Sequence, residues 1–581
     1  MPLKTKEELK KLLLSIDHRG YPAYKETRGR WSWGSYILSI DHVQGDPFAS
    51  PSNVSVIVPG KTAQFPEAFI KEAHRRIALQ DHLLRLFGKE LSEREHRYAG
   101  SGKSGLVITS RPGQEILERS ACRIDSKSGD VTMRFQVGFP ANGRTINARE
   151  LIRILDDFLP EAVASSLICR NVPQRKLEAV IHLADDQRYI RQALNERGLC
   201  AFVADGAVLP RQSGVSQLPM KNAVPFRSPE ELAVTLQLPH RGTLRGMGIR
   251  NGVTLIVGGG YHGKSTLLQA LERGVYDHIS GDGREYVITD AHAAKVRAED
   301  GRSISATDIS LFISDLPNGK DTVHFCTEDA SGSTSQAANV IESIEAGTKL
   351  LLIDEDTCAT NFMVRDELMA KVVSADKEPI TPFISRIRDL YEISGISTIL
   401  VAGSCGAFFH VADTVIQMDR YVPVEMTTFA KRAAQELSEQ AGTQQKLQGS
   451  VYRADGFRIP DFHRIPAKNS ALAGEGRIKL KVLSEDQFLL MKDEVDVRGL
   501  EQIVDREQTA TLAHLLKYVQ MHVVDGKMSL EQAVNRVEEL LRAKGLDVLF
   551  DGGTAGNGLA SVRREEIFGM INRYRKLRMR S

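Results

Sequence analysis

A chain of 581 residues is too long for one hydrophobic core and divides into roughly three or four domains of ordinary size. With 42% hydrophobic and 26% charged residues it reads as a soluble globular protein, and a net charge of +2 excludes a global electrostatic pull toward nucleic acid or membrane. No apolar run approaches the ~18 residues a membrane helix needs, the start MPLKTKEELKKLLLSID has no apolar stretch of signal-peptide length, and the six cysteines are scattered without a CxxC pair. A cytoplasmic protein without a membrane partner is expected.

Residues 1–165 read as an α+β domain: a basic helical start, an alternating strand-rich stretch from Trp31 to Val58, helical periodicity over 66–87, and further strands around 106–138. The segment RGYPAYKETRGRWSWGSY interleaves Lys25, Arg28 and Arg30 with Tyr21, Tyr24, Trp31, Trp33 and Tyr36, and it holds both tryptophans of the chain. Such a mixture would neutralise and stack on single-stranded nucleic acid. Strand packing is the other reading, because Trp31 and Trp33 share a face at period two. Further on, AGSGKSG imitates a phosphate loop through Gly102, Lys103 and Ser104, but the position five before Gly102 is Arg97 and no buried strand precedes it. A tight glycine turn that exposes Lys103 to a partner fits better.

Residues 166–445 alternate short apolar strands with helices, the pattern of a mostly parallel, buried sheet. Within them GGGYHGKST, running Gly258, Gly259, Gly260, Tyr261, His262, Gly263, Lys264, Ser265 and Thr266, satisfies GxxxxGK[ST] between the strand VTLIV and the helix TLLQALE. In that context glycines let backbone N–H groups wrap the phosphates of ATP at a helix N-terminus, Lys264 adds a point charge, and Ser265 offers its hydroxyl to Mg²⁺. Next along the chain, Ser331, Gly332, Ser333, Thr334 and Ser335 open a helical stretch, where small hydroxyl residues and the helix dipole suit a terminal phosphate. KLLLIDED then ends a buried strand in a carboxylate pair: Asp354 as a Mg²⁺ ligand and Glu355 as the general base for the attacking water.

After about 430 the composition turns polar through QELSEQAGTQQKLQG, and residues 446–581 read as a small helical domain. Its tail ends NRYRKLRMRS, where Arg573 and Arg575 belong either to a nucleic-acid-contacting helix or to a solvated basic one. No internal repeat is visible, so the chain has a single nucleotide core.

The run from Ser331 to Gln336, placed between the phosphate loop and Asp354, resembles the signature loop of ABC proteins. The strings GVTLIVGGGYHGKSTLL, TEDASGSTSQAANVIE, LLIDEDTCATNFMVRD, IDHVQGDPFASPS and ADGAVLPRQSGVS resemble the predicted ABC-class ATPases, a largely uncharacterised family with one branch in mitochondrial RNA-editing machinery. The resemblance implies a P-loop NTPase core of ABC type with an N-terminal α+β domain and a small C-terminal helical domain. It also implies that Ser331 to Ser335 close the ATP held by Gly258 to Thr266 of another copy, which makes a homodimer with two composite sites. Departures from the pattern are Asn361 where the D-loop carries Asp, Gly403 where a phosphate-sensing histidine stands, with His410 displaced from it, and Glu299 or Asp300 in place of the Q-loop glutamine. These departures point to slow hydrolysis. The RNA-editing branch makes RNA the expected partner, by analogy alone; an ATP-gated switch or scaffold for a protein partner is the competing class, and a transporter subunit the third.

Overall fold

A computed structural model describes residues 3–93, 100–365, 372–373, 377–440, 456–468, 478–550 and 555–580. Arg97 and most of the polar linker lie outside these described residues. The chain divides into two compact units, Met1–Asp185 with Ala543–Ser561, and Asp186–Arg542 with Val562–Ser581. Residues 446–581 are therefore shared between the units. Among the described residues no helix is long and apolar enough to cross a membrane.

The first unit is built on an antiparallel sheet in which Gly29–Ser32, Ile37–His42, Ser52–Val58 and Val131–Val137 pair in that order. Helix Ala73–Ser92 presents Leu79, Leu83, Leu84, Phe87 and Leu91 to the same core, at the i, i+4 spacing that sets one face of a helix. Asp547 joins this unit by accepting hydrogen bonds from Arg134 at 2.9 Å and Arg123 at 2.7 Å.

This core claims the aromatic residues that the sequence offered as a stacking platform. Trp31 is only 2% exposed and its indole N–H donates to the Thr27 carbonyl at 3.0 Å. Tyr21 and Tyr24 are buried and donate to the carbonyls of Phe139 and Pro140. Trp33 is partly buried and stacks on the buried Tyr36, ring centroids 6.0 Å apart. A nucleic-acid contact for Trp31 is thus corrected: the period-two alternation carries that ring into the core, where burial of its large apolar surface outweighs any gain from a base outside. Arg28 and Arg30 stay exposed, one on each side of Gly29.

The second unit holds a six-stranded sheet ordered Ala293–Val296, Leu350–Asp354, Ser397–Val401, Val253–Val257, Thr414–Asp419 and Val422–Glu425. All neighbours are parallel except the last pair, a hairpin. Leu350 to Ile353 are fully buried, as strands covered on both faces must be. Because the strands are parallel, the loops after 257, 296, 354, 401 and 419 leave from one edge of the sheet, the edge where open α/β sheets bind ligands. A four-stranded antiparallel sheet ordered Ala233–Leu238, Gly242–Arg250, Leu199–Ala204 and Val287–Thr289 belongs to the same unit. The C-terminal region has helices Arg506–Tyr518, Leu530–Lys544 and Arg564–Arg573, preceded by a three-stranded meander over residues 480–496 that the helical periodicity did not announce.

Candidate nucleotide site

The strand Val253–Val257 runs into a loop that only glycine permits at two points. Gly258 has φ +141°, and a Cβ there would lie 2.5 Å from the Met418 carbonyl; Gly263 has φ +98° and is the N-cap of helix Lys264–Arg273. Leu267, Leu268 and Leu271 anchor that helix in the core, which leaves its first-turn N–H groups at the loop. Lys264 Nζ bridges the Gly258 and Gly259 carbonyls at 2.8 and 2.9 Å, so its charge already lies across the loop, and Ser265 is exposed. Tyr261 has φ +65° and is 99% exposed. His262 is held from the neighbouring hairpin: its Nδ1 accepts from the Arg420 N–H at 3.1 Å and its carbonyl accepts from the Tyr421 N–H at 3.1 Å.

Asp354 sits at the tip of strand Leu350–Asp354, 7% exposed, and its side chain accepts from the Asp356 N–H at 3.2 Å. Burial pushes its carboxyl above the usual range, against that hydrogen bond and the charge of Lys295. The Ser265 hydroxyl and the Asp354 carboxylate are hard oxygen donors, the type of ligand that suits Mg²⁺.

Glu355 is tied to the loop after strand Ser397–Val401. Its Oε2 accepts from the Gly403 N–H at 2.6 Å and the Ser404 N–H at 3.1 Å, and its Oε1 accepts from the Ser404 hydroxyl at 2.6 Å. Burial alone would raise this carboxyl, but the hydroxyl and N–H of Ser404 and the N–H of Gly403 outweigh it and hold it below the usual carboxylate range. Backbone donors thus meet Glu355 where the sequence pattern led one to look for an imidazole. His410 lies further on, in the turn Gly406–His410.

Ser331 is the exposed N-cap of helix Gly332–Glu345, its hydroxyl 2.9 Å from that of Thr334. Gly332 and Ser333 are partly exposed. Ser335 is corrected from the outward-facing set: it is fully buried, donates to the Gly332 carbonyl at 2.9 Å and accepts from the Glu299 N–H at 2.9 Å. One turn into the helix, the side chain faces the core. Gln336 is buried too, and its Oε1 accepts from the Ala359 N–H beside the exposed Asn361.

Glu299 cannot replace a Q-loop glutamine, because it is spent on an internal ion pair. It accepts from Asn339 at 2.9 Å and from Arg573, whose Nε lies 3.1 Å from Oε2. Burial alone would raise its carboxyl; the charges of Arg573 and Arg302, with the hydrogen bonds from Arg573 and Asn339, bring it down to about 2. The same pair corrects the reading of Arg573 as a nucleic-acid contact, since a guanidinium 8% exposed and bonded to a partly buried carboxylate is not available to phosphate. Arg575 is exposed, but it donates to the carbonyls of Glu328 at 2.7 Å and Gly301 at 2.8 Å and so braces the loops beside Ser331. Lys103 is exposed in a tight turn where its N–H donates to the Pro47 carbonyl at 2.8 Å and Gly102 has φ +63°.

Three family models match this chain. Residues 6–170 match the N-terminal model of ATPases of the ABC class, 173–453 the P-loop domain of the ABC ATPases, and 479–580 the MRB1590 C-terminal domain. The uncharacterized protein MJ1628 of Methanocaldococcus jannaschii is 34% identical over 213 residues, which is 34% of this chain and 47% of that protein, so the match spans about half the relative's length. Among solved structures, cbiO1 from Clostridium perfringens, part of the ABC transporter complex cbiONQ, is 14% identical with a TM-score of 0.27, covering 43% of this chain and 96% of its own. MJ1267, an ATP-binding cassette of an ABC transporter in its ADP conformation, is 11% identical with a TM-score of 0.25, covering 41% of this chain and 95% of its own.

Proposed function

We infer what this chain does from one premise: it belongs to the ABC-class ATPases, with a P-loop α/β core and a small, mostly helical C-terminal domain of the MRB1590 type. The proposed function is slow hydrolysis of ATP with Mg²⁺, at composite sites made by two copies of the chain. One observation carries it: Lys264, Asp354 and Glu355 leave the same edge of one sheet, on two parallel strands, Val253–Val257 and Leu350–Asp354, with only Ser397–Val401 between them. Gly258 to Thr266 would wrap the phosphates, with Lys264 Nζ exchanging the Gly258 and Gly259 carbonyls for phosphate oxygens. Ser265 and Asp354 would hold Mg²⁺, which when bound neutralises phosphate charge. Glu355 would take the proton of the attacking water. Its hydrogen bonds to Gly403 and Ser404 make it a weaker base, and that supports slow turnover.

The exposed Ser331 and the partly exposed Gly332, Ser333 and Thr334 support a role for this loop across a dimer interface. Ser331→Arg is expected to suppress ATP-driven association in light scattering while leaving ATP affinity of the single chain intact. Unchanged association would remove the loop from the interface.

RNA is the proposed partner. What supports it is the exposure of Arg28, Arg30 and Lys103 and a C-terminal domain of a type linked to mitochondrial RNA-editing complexes. Replacing Arg28 and Arg30 by Ala is expected to weaken RNA binding for all sequences alike and to flatten its salt dependence by about one unit of log–log slope for each phosphate left unneutralised. Parent-like binding of the double variant across a salt titration would make this segment structural. ATPase assays with and without single-stranded RNA, double-stranded RNA and DNA test the partner class directly. The restrained Glu355 also favours a second reading, an ATP-gated switch for a protein partner; nucleotide-dependent capture of a protein, with no effect of RNA on turnover, would select it.

A further inference from the structure

The hairpin beside the phosphate loop turns in two residues, Arg420 and Tyr421, with Asp419 paired to Val422 across it. Both turn residues have positive φ, +47° and +72°. A two-residue turn of this geometry ordinarily takes Asn and Gly, because bulky side chains are strained in the left-handed region. Here the strain brings no burial: Tyr421 is 54% exposed and Arg420 is exposed, with no partner for its guanidinium among the described residues. What the turn does secure is position. Its two N–H groups bind His262 Nδ1 and the His262 carbonyl, and the edge of the Tyr421 ring lies 3.1 Å from where a Cβ on Gly263 would be. Strained, exposed side chains that the surrounding structure holds rigidly against a binding loop are where ligand contacts concentrate.

The sheet order says which part of the ligand is at hand. Strand Leu350–Asp354 lies two places to one side of the phosphate-loop strand, and strand Thr414–Asp419 lies next to it on the other side. A triphosphate whose terminal phosphate is directed to Asp354 and Glu355 leaves the loop on the opposite side, where the turn stands. We propose that the exposed ring of Tyr421, held on the Arg420–Tyr421 turn against Gly263, is the platform on which the nucleoside of the bound nucleotide packs. This inference rests on the reading of Gly258 to Thr266 as a phosphate loop.

Glycine is the residue the turn prefers at φ +72°, so Tyr421→Gly removes the ring without cost to folding, and Tyr421→Asn, which also tolerates that region, is the second variant. Binding of ATP and of inorganic tripolyphosphate to the full chain would be measured by calorimetry, with thermal melts alongside. Both variants are expected to melt no earlier than the parent, to bind ATP about tenfold more weakly, and to bind tripolyphosphate as the parent does; Tyr421→Phe is expected to keep ATP affinity, as face-on packing requires only the ring. Parent-like ATP affinity in the glycine and asparagine variants overturns the proposal, and so does an equal drop for ATP and tripolyphosphate, which would mean the ring only shapes the loop. A parent that binds neither ligand would overturn the phosphate-loop reading itself, an outcome separate from the first two.

Discussion

Lys264→Ala is expected to abolish ATP binding while the chain keeps its fold and its melting temperature. The lysine opens helix Lys264–Arg273 at a position where alanine is the best helix former, and among the described residues its ammonium hydrogen-bonds to the Gly258 and Gly259 carbonyls at the mouth of the loop. Neither glycine is buried, so the carbonyls that it leaves are open to water. On the binding side, the substitution deletes a full positive charge from a loop that must gather a highly charged triphosphate. Charge-assisted hydrogen bonds are worth about 1.5–3 kcal/mol each, so the loss of two of them weakens affinity by a hundredfold or more. Calorimetry with ATP, run beside a thermal melt, checks both halves. Micromolar affinity retained in the variant would remove Gly258 to Thr266 from the site; a variant that binds nothing because it has unfolded would show itself in the melt.

Glu355→Gln is expected to keep ATP affinity and to lower turnover by about two to four orders of magnitude, the usual contribution of a positioned general base. The carboxylate accepts from Gly403, from the Ser404 N–H and from the Ser404 hydroxyl. Glutamine keeps one acceptor oxygen for that loop but cannot take a proton from water. Because the hydrogen bonds hold the parent carboxyl below the usual range, releasing one of them strengthens the base. Ser404→Ala is therefore the informative companion, expected to raise turnover rather than lower it. Steady-state phosphate release measures both. Turnover unchanged in Glu355→Gln would move the base elsewhere, and His410 would be the next to test, since the Nδ1 of His262 is already engaged by the Arg420 N–H.

The parts of this protein that could be read from its residues are those in which the chemistry is local. A phosphate loop needs glycines, a lysine and a hydroxyl within one turn between a strand and a helix, and Gly258 to Thr266 carry that requirement in order along the chain. A buried parallel strand has to be apolar along its length, so LLLID named both the strand and the carboxylate at its tip. The class of fold followed from those two segments and the alternation of strands and helices around them.

What the residues alone left open was decided by neighbours distant in sequence. Nothing in GSCG marks Gly403 and Ser404 as the donors to Glu355; they become so because parallel pairing sets strand Ser397–Val401 beside strand Leu350–Asp354 and brings their following loops together. Ser335, Arg573 and Trp31 were chemically suited to phosphate or base, and each went inward. Ser335 faces the interior side of its helix, Trp31 the covered face of its sheet, and Arg573 meets Glu299, whose carboxylate offsets the cost of burying a guanidinium. The sign of a residue's charge and the flatness of its ring are properties of the sequence. Whether that charge or ring meets water, a ligand or another side chain depends on which neighbour the fold places opposite it, and burial free energy settles that only when the whole core has formed.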